Sequence, residues 1–339
     1  ERFSQNRHER RWWGIRPHSR QRTPRPQILL RRPPLRPPVF VILWYSKIME
    51  NIKIWVGEMP SESYKLLDSG DKKKLEEIGG VKIVRAEPRA WWLPQGGTFG
   101  AFPKVPPWEK IIDIGIAGIK AKIKYKNTSK HIGIFPEQFS QWKFINENLL
   151  KIENSKLKIP NSLSILNLFG YTGIASLVAA RAGAKVTHVD ASKQSVDWAR
   201  ENQKLSGLQD APIRWIVDDV IKFLKKEKNR MANLPHRQAG YDAIIMDPPS
   251  YGKGPKGEVW KIEEKLPELL ESCRQILSDN PLFVIFNMYS TELSSISVSN
   301  LLADMTAGLG GTIESGELVI KQENSERLLP MSIFALWHK

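Results

Sequence analysis

The sequence predicts an α/β protein, in which a mostly parallel sheet carries helices on both faces and a small β-rich domain precedes it. Three observations carry this. From about His131 onward, short strand-like runs alternate with longer helical patterns, the signature of a parallel sheet with crossover helices. Before that point the runs are short and β-like, with no helical period between them. The chain has 339 residues, 41% of them hydrophobic, enough for one large core and a smaller one.

Residues 1–50 stand apart. They hold 11 Arg, 1 Lys and 3 acidic residues, whereas residues 51–339 hold 9 Arg and 30 Lys. Seven of the 23 prolines fall there, among them Pro33-Pro34 and Pro37-Pro38, and no apolar period runs through, so the segment is expected to be disordered. Three explanations compete. One is a basic nucleic-acid arm with Trp12, Trp13 and Trp44 interleaved. Another is an organelle transit peptide, against which the prolines and Glu1, Glu9 and Glu50 weigh. The third is upstream sequence read in frame, with the native start at Met49. The abrupt Arg-to-Lys reversal beside Met49 favours the third. The segment also carries most of the charge: the net +15 of the chain falls to +6 for residues 51–339. That mild excess suits a polyanionic partner without demanding one.

Residues 51–130 read as the small β-rich domain. Strands are expected at Ile52–Val56, Val81–Arg85 and Gly118–Tyr125, the last alternating Ile with Lys, around a loop rich in Gly, Pro and Trp from Pro88 to Trp108. Residues 131–339 read as the second domain. Its strands are expected at Ser164–Phe169, Lys185–Asp190, Ile213–Val217, Asp242–Asp247 and Leu282–Asn287. One helix follows Ser192 as N-cap, turns Val196, Ala199 and Leu205 to one side and stops at Gly207. Another is expected over Ile262–Leu277. In such a sheet, ligands bind at the carboxyl ends of the strands.

Composition excludes several classes. A single cysteine forbids a disulfide framework or a Cys-based zinc site, and six scattered histidines offer no ligand pairing, so no metal is expected. The longest suspect apolar run, Val39–Tyr45, is far short of the ~20 residues of a membrane helix. A cytoplasmic, reducing location with no membrane contact is expected. Asn127-Thr128-Ser129, formally a glycosylation sequon, then reads as a turn.

Four segments carry chemistry. The first is Asn167-Leu168-Phe169-Gly170-Tyr171-Thr172-Gly173, where a strand ends, two glycines allow a tight turn and a helix begins with free N–H groups. By itself this reads as an ordinary glycine turn. Asp190, at the end of the next strand, changes the odds, because an acidic residue there takes the ribose hydroxyls of an adenosine cofactor. Together they point to a nucleoside cofactor, NAD or S-adenosylmethionine. The second is Val217-Asp218-Asp219-Val220, where a carboxylate can accept from an adenine amino group or simply be solvated. The third is Asp247-Pro248-Pro249-Ser250-Tyr251, directly after a buried-looking strand. Two prolines remove two donors and stiffen the backbone, leaving carbonyls and one carboxylate for an amino group, with Tyr251 as a stacking face. The fourth is the loop Lys253-Gly254-Pro255-Lys256-Gly257-Glu258-Val259-Trp260. Lys253 and Lys256 could meet a phosphate backbone there or be a solvated turn, with equal weight.

The run Leu166–Leu208, followed by Asp247-Pro248-Pro249-Ser250-Tyr251-Gly252, resembles class I S-adenosylmethionine-dependent methyltransferases. It looks most like the group of bacterial large-subunit ribosomal RNA methyltransferases. His131-Ile132-Gly133-Ile134-Phe135-Pro136-Glu137-Gln138 and Trp142 are similar to the stretch that precedes the first motif in that group. The resemblance covers roughly residues 60–339 and implies a Rossmann-like class I methyltransferase fold, S-adenosylmethionine as cofactor and RNA, ribosomal in kind, as partner. It implies that Phe169, Gly170, Tyr171 and Gly173 line the methionine part of the cofactor, that Asn167 also belongs to the cofactor site, that Asp190 binds the ribose and Asp219 the adenine, and that Phe135 and Gln138 close over it. Asp247, Pro248, Pro249 and Tyr251 would hold the methyl acceptor, with Ser250, Lys253 and Lys256 beside it.

The chain departs from part of that group. Relatives that methylate cytosine C5 use a cysteine, in some of them on the strand after the Asp-Pro-Pro run, where this chain has Asn287-Met288-Tyr289. Its one cysteine, Cys273, falls among the apolar positions of the expected Ile262–Leu277 helix and reads as core. Direct displacement by a substrate nitrogen or oxygen is therefore expected. Methylation of a protein or small-molecule amine or amide, and a non-catalytic RNA-binding assembly role, stay open. A dehydrogenase is weaker, because a full G-x-G-x-x-G is absent.

Overall fold

The computed structural model describes residues 52–99, 105–126, 131–153, 163–233, 240–289 and 292–339. The Arg- and Pro-rich segment, with Trp12, Trp13, Trp44 and Met49, and the Asn127-Thr128-Ser129 turn lie outside the described residues.

The N-terminal part contains β1 (Ile52–Val56), β2 (Tyr64–Gly70), β3 (Lys73–Ile78), β4 (Val81–Ala86), β5 (Trp108–Asp113) and β6 (Lys120–Tyr125). A 3-10 turn at Pro136–Gln138 leads into α1 (Phe139–Glu153). Then follow β7 (Ser164–Leu168), α2 (Ile174–Arg181), β8 (Lys185–Asp190), α3 (Lys193–Leu205), β9 (Ile213–Val217) and α4 (Val220–Ala232). The chain continues with β10 (Ala243–Met246), a short hairpin of β11 (Tyr251–Lys253) and β12 (Val259–Lys261), α5 (Ile262–Arg274), β13 (Phe283–Met288) and α6 (Ser295–Met305). It ends in β14 (Thr312–Lys321) and β15 (Leu328–His338).

Eight strands form one sheet in the order β1-β14-β15-β13-β10-β7-β8-β9. Neighbours from β9 to β13 are parallel, and β15 alone runs antiparallel to both β13 and β14. Each strand serves two cores, because successive side chains point to opposite faces. On β7 and β10, Ile165 and Ile245 join the helices α1 and α2 on one face. Leu166, Leu168, Ile244 and Met246 join α4, α5 and α6 on the other. Such strands, buried on both sides, read as continuous apolar runs. The Ser192 cap follows the sequence as read, with its Oγ accepting from Ser195 N at 3.1 Å; Asp219, expected as an adenine acceptor or a solvated acid, also caps a helix, its Oδ1 accepting from Lys222 N at 3.0 Å.

Three expectations need correction. The strand at Ile52–Val56, expected with the small β-rich region, pairs in parallel with β14 at the edge of the large sheet. The hairpin β2–β3, β5 and the long β14–β15 ribbon were not expected; β2 and β3 are dense in Lys, Glu and Asp, which masks a period of two. The helix expected to Leu277 stops at Arg274, and Leu277 bridges to Tyr241 instead.

Two small sheets frame one end of the large one. The β2–β3–β4 sheet docks on the β14–β15 turn, where Glu323 N donates to Leu66 O at 2.8 Å and Ser69 Oγ donates to Gln322 Oε1 at 2.9 Å. The β5–β6 hairpin docks on α3: Lys122 N donates to Asn202 Oδ1 at 2.8 Å and Trp198 Nε1 to Lys122 O at 2.9 Å.

Candidate active site

A cavity of about 840 Å³ opens at the carboxyl ends of β7, β8 and β10. The sheet order reverses between β7 and β10, where a crevice is expected. Register Met246↔Leu168 sets the turn after β7 beside the turn after β10.

The first turn is unusual. Phe169 and Tyr171 have φ of 57° and 49°, a left-handed backbone that bulky residues seldom adopt and that costs of order 1–3 kcal/mol each. Backbone bonds hold it in place: Gly170 N donates to Val189 O at 3.1 Å and Tyr171 N to Asp190 Oδ2 at 2.9 Å. Both aromatic side chains line the cavity with Phe135, whose ring centroid is 5.6 Å from that of Tyr171. Burial pushes the Tyr171 hydroxyl up to about 12.

Asp190 lines the cavity at the tip of β8, with Oδ1 accepting from Ser192 N at 2.8 Å. Burial raises its carboxyl above the usual range, and the Ser192 and Tyr171 amides oppose that rise. Each of its oxygens keeps a second lone pair. Asp219 lies across the cavity, with Oδ1 committed to the α4 cap.

Asp247 follows β10. Gln138 Nε2 donates to its Oδ2 at 2.8 Å and to the Tyr289 hydroxyl at 3.2 Å. Tyr289 in turn donates to Glu137 Oε1 at 3.0 Å. Asp247 Oδ1 and Glu137 Oε2 are buried with no hydrogen-bond partner among the described residues. Burial pushes the Asp247 carboxyl up to about 7, against the Gln138 bond and with the help of the Glu137 charge. Burial likewise raises Glu137.

Further wall comes from β3, from the end of β4 and the segment after it, and from Glu317 of β14 and Pro330–Ile333 of β15. Lys74, Arg85 and Arg89 face the cavity beside Glu87. Lys74 is buried between Glu76 and Glu87, at 3.4 and 3.5 Å. Burial would raise Glu76, but Arg85 and Lys74 outweigh it and hold the carboxyl at about 2.

Of the residues singled out in the sequence, Phe135, Phe169, Tyr171, Asp190, Asp219, Asp247, Pro248, Pro249, Ser250, Tyr251 and Lys253 line this one cavity. Five do not. Asn167 is buried and donates to Ser176 Oγ at 2.9 Å, inside the core beneath the turn. A Cβ on Gly170 would lie 2.4 Å from His188 Cε1, so that glycine makes room for a histidine, not a ligand. Gly173, at φ 80°, starts α2 and packs on Ala199 and Trp215. Gln138 reaches the site only through Asp247 and Tyr289. Lys256 sits at the tip of the β11–β12 hairpin, where its N–H donates to Glu258 Oε2 at 2.8 Å. The Asp-Pro-Pro run is also less open than expected, since Trp260 Nε1 donates to the Pro249 carbonyl at 2.5 Å.

The sequence reading gave no role to Glu137, Tyr289, Lys74 or Arg89. Glu137 lies in the His131–Gln138 stretch, but nothing in a sequence shows that a glutamate beside a proline is fully buried. Cys273 lies in the α5 core, and burial pushes its thiol up.

No family model matches the chain. It is 36% identical to a crystal structure titled as the SAM-dependent methyltransferase from Agrobacterium tumefaciens, at a TM-score of 0.71 over 84% of this chain and 93% of that one. The chain belongs to the S-adenosylmethionine-dependent methyltransferases. Curated relatives named ribosomal RNA large subunit methyltransferase K/L match more locally. That of Shewanella frigidimarina is 33% identical over 139 residues, 40% of this chain and 18% of the relative. That of Colwellia psychrerythraea is 27% identical over 241 residues, 63% of this chain and 32% of the relative. This methyltransferase therefore spans about a fifth to a third of the length of those two relatives.

S-adenosylmethionine is the cofactor of this methyltransferase, and the site suits it. The cofactor carries an ammonium and a sulfonium, and the strand tips offer Asp190, Asp219 and Asp247 among aromatic rings, with one buried carboxylate oxygen still lacking a donor. Among the described residues no group of His, Cys, Asp and Glu could hold a metal ion, and no helix is long and apolar enough to cross a membrane.

Proposed function

We propose that this methyltransferase modifies a base of large-subunit ribosomal RNA by direct displacement, without a cysteine nucleophile. The observation that supports it best is Asp247 Oδ1, a buried acceptor with no partner among the described residues, at the head of a run of two prolines that offers no backbone donor. It lies in a cavity of about 840 Å³, large enough for a cofactor and a flat acceptor together. The names of the curated relatives supply ribosomal RNA as the substrate class.

S-adenosylmethionine, when bound, supplies an electrophilic methyl on a sulfonium. The chain's own residues then have four tasks. Phe135, Phe169 and Tyr171 wall the methionine portion and exclude water. Asp190 accepts from the ribose hydroxyls, and the Asp219 oxygen not used as a cap accepts from the adenine amino group. Asp247 and the Pro248 carbonyl accept from an amino group of the base, which turns its lone pair toward the methyl; alignment of this kind is most of what a displacement needs. Tyr251, 57% exposed on β11, offers a face for stacking, with Ser250 and Lys253 beside it. With its carboxyl near 7, Asp247 is matched to take the proton that a methylated nitrogen releases. On this reading residues from His131, with β1 as edge strand, form the methyltransferase domain, and β2–β6 form the smaller one. An RNA substrate of this kind places the enzyme in the cytoplasm.

A second reading is favoured by the same acceptors: a protein or small-molecule amine or amide would fit Asp247 equally well. Incubation with methyl-labelled S-adenosylmethionine and undermodified RNA, protein and metabolite fractions separates the two, with Asp247→Ala as control. Label in RNA that depends on Asp247 is expected, and label only in protein or metabolites refutes the RNA reading. C5-methylcytidine in the product would refute the mechanism.

A further inference from the structure

The loop after β4 has no role in the chemistry, yet it displays two large apolar side chains. Trp91 and Leu93 are each 75% exposed. Mobile loops can bear such residues at little cost, but this one is fixed. Lys72 N donates to Ala90 O at 2.7 Å, Asp71 N to Trp92 O at 2.8 Å and Glu87 N to Lys72 O at 2.8 Å. Trp92 Nε1 donates to Ser69 O at 2.8 Å, and Gln95 N and Gly96 N donate to the Asp68 carboxylate at 3.2 and 3.0 Å. Arg327 Nη1 ties the β14–β15 turn to Leu93 O at 3.1 Å. Trp91 is thus presented on a rigid frame, next to the buried Ala90.

Its surroundings are cationic. The Lys72 ammonium lies 4.3 Å from the Trp91 ring centroid, and the Arg327 guanidinium 5.8 Å from that of Trp92. Lys73 is exposed beside them. Arg89, two residues before Trp91, lines the active-site cavity. The nearby acids are Asp71, which is exposed, Asp68, which is buried and accepts from the Gln95 and Gly96 amides, and Glu87, which is buried against Arg89 and Lys74. A fixed indole flanked by cations, on a loop whose Arg89 lines the active-site cavity, has the chemistry of a single-stranded nucleic-acid platform: every base has a face to stack, and phosphates follow the cations.

We propose that Trp91 stacks an unpaired base of the substrate RNA next to the nucleotide being methylated, with Lys72, Lys73 and Arg89 along the adjoining phosphates. The assignment rests on the RNA reading above and goes beyond it, since it puts part of the recognition on the smaller domain. It is tested on the full chain with a fluorescein-labelled, unstructured 12-nucleotide RNA, by anisotropy at fixed salt. Trp91→Ala is expected to weaken binding about ten-fold and Trp91→Phe about two-fold or less, because a phenyl ring still stacks. Affinity for S-adenosylhomocysteine, read by calorimetry, is expected to stay unchanged in both. If wild type binds and methylates RNA and Trp91→Ala binds it equally well, this proposal falls and the RNA reading stands. If wild type binds no RNA, both fall. A parallel loss of cofactor affinity in Trp91→Ala assigns the residue to folding and also overturns the proposal.

Discussion

Replacing Asp247 with asparagine keeps the shape of the side chain and removes its charge. Gln138 Nε2 donates to one carboxylate oxygen at 2.8 Å, so the asparagine must turn its carbonyl oxygen that way. Its NH₂ then takes the place of Oδ1, the buried oxygen without a partner. A donor stands where the substrate's amino group is expected to find an acceptor. A hydrogen bond to a charged group contributes about 1.5–3 kcal/mol. At 1.36 kcal/mol per decade, kcat/KM for RNA should fall roughly 10- to 150-fold. The charge leaves a second signature. With the carboxyl pushed up to about 7, the free enzyme is mostly protonated below that pH and mostly ionised above it. If the ionised form accepts the amino group, kcat/KM of the wild type rises about tenfold per unit in acid and levels off above about 7, since kcat/KM reports groups of the free enzyme. The asparagine variant has no such step. The assay is transfer of labelled methyl to undermodified ribosomal RNA from about pH 6 to about pH 8, with folding checked by the thermal midpoint. A variant within about threefold of wild type, or a flat wild-type profile, refutes the reasoning.

Three other outcomes are expected. Gly170→Ala puts a Cβ 2.4 Å from His188 Cε1 and should cost about 1–3 kcal/mol in urea unfolding, with part of the loss recovered in the Gly170→Ala, His188→Ala double variant. Asp190→Ala removes the proposed ribose acceptor and releases the amides of Tyr171 and Ser192, so the calorimetric Kd for S-adenosylhomocysteine should rise at least about tenfold while the fold survives. Cys273→Ala should keep turnover per folded molecule and lose about 1–2 kcal/mol of stability; abolished transfer in a folded variant would restore a covalent role for the thiol.

The central sheet was legible because β7, β8, β9, β10 and β13 are short apolar runs separated by capped helices, and each appears within about two residues of its expected place. The acidic strand tips were legible for the same reason: Asp190 and Asp247 end such runs. The β2–β3 hairpin was not. Its buried positions include Asp68, Lys74 and Glu76, so polar residues occupy inward sites and the alternation disappears from the sequence. Only the partners make that burial tolerable: Glu76 accepts from Tyr64 and Arg85 at 2.8 and 2.6 Å. Glycine in the motif turn was legible as a tight turn but not by its cause. Gly170 is dictated by His188 on the neighbouring strand, which burial lowers to about 3 and so keeps neutral at pH 7.

The edge strand β1 shows how far from the chemistry the acceptor geometry is set. Strand β1 pairs with β14 and ends at Val56, whose carbonyl accepts from Ser140 Oγ in the first turn of α1. The next residue, Gly57, passes so close to the 3-10 turn that a Cβ there would lie 2.3 Å from Pro136 O. That turn carries Glu137 and Gln138. Farther along α1, Gln141 and Asn287 exchange two hydrogen bonds, at 2.7 and 2.8 Å, which locks the helix to β13 beside Tyr289. Gln138 is therefore fixed from two sides before it reaches Asp247. Its amide has two protons, and Asp247 Oδ2 and the Tyr289 hydroxyl use both. The other Asp247 oxygen has no partner among the described residues, in a side chain that lines the cavity. The pair of prolines after Asp247 supplies no donor, and Trp260 occupies the second proline's carbonyl. Among the described residues Asp247 Oδ1 is left buried and unpaired in a side chain that lines the cavity, as is Glu137 Oε2, and burial is what pushes the Asp247 carboxyl up to about 7.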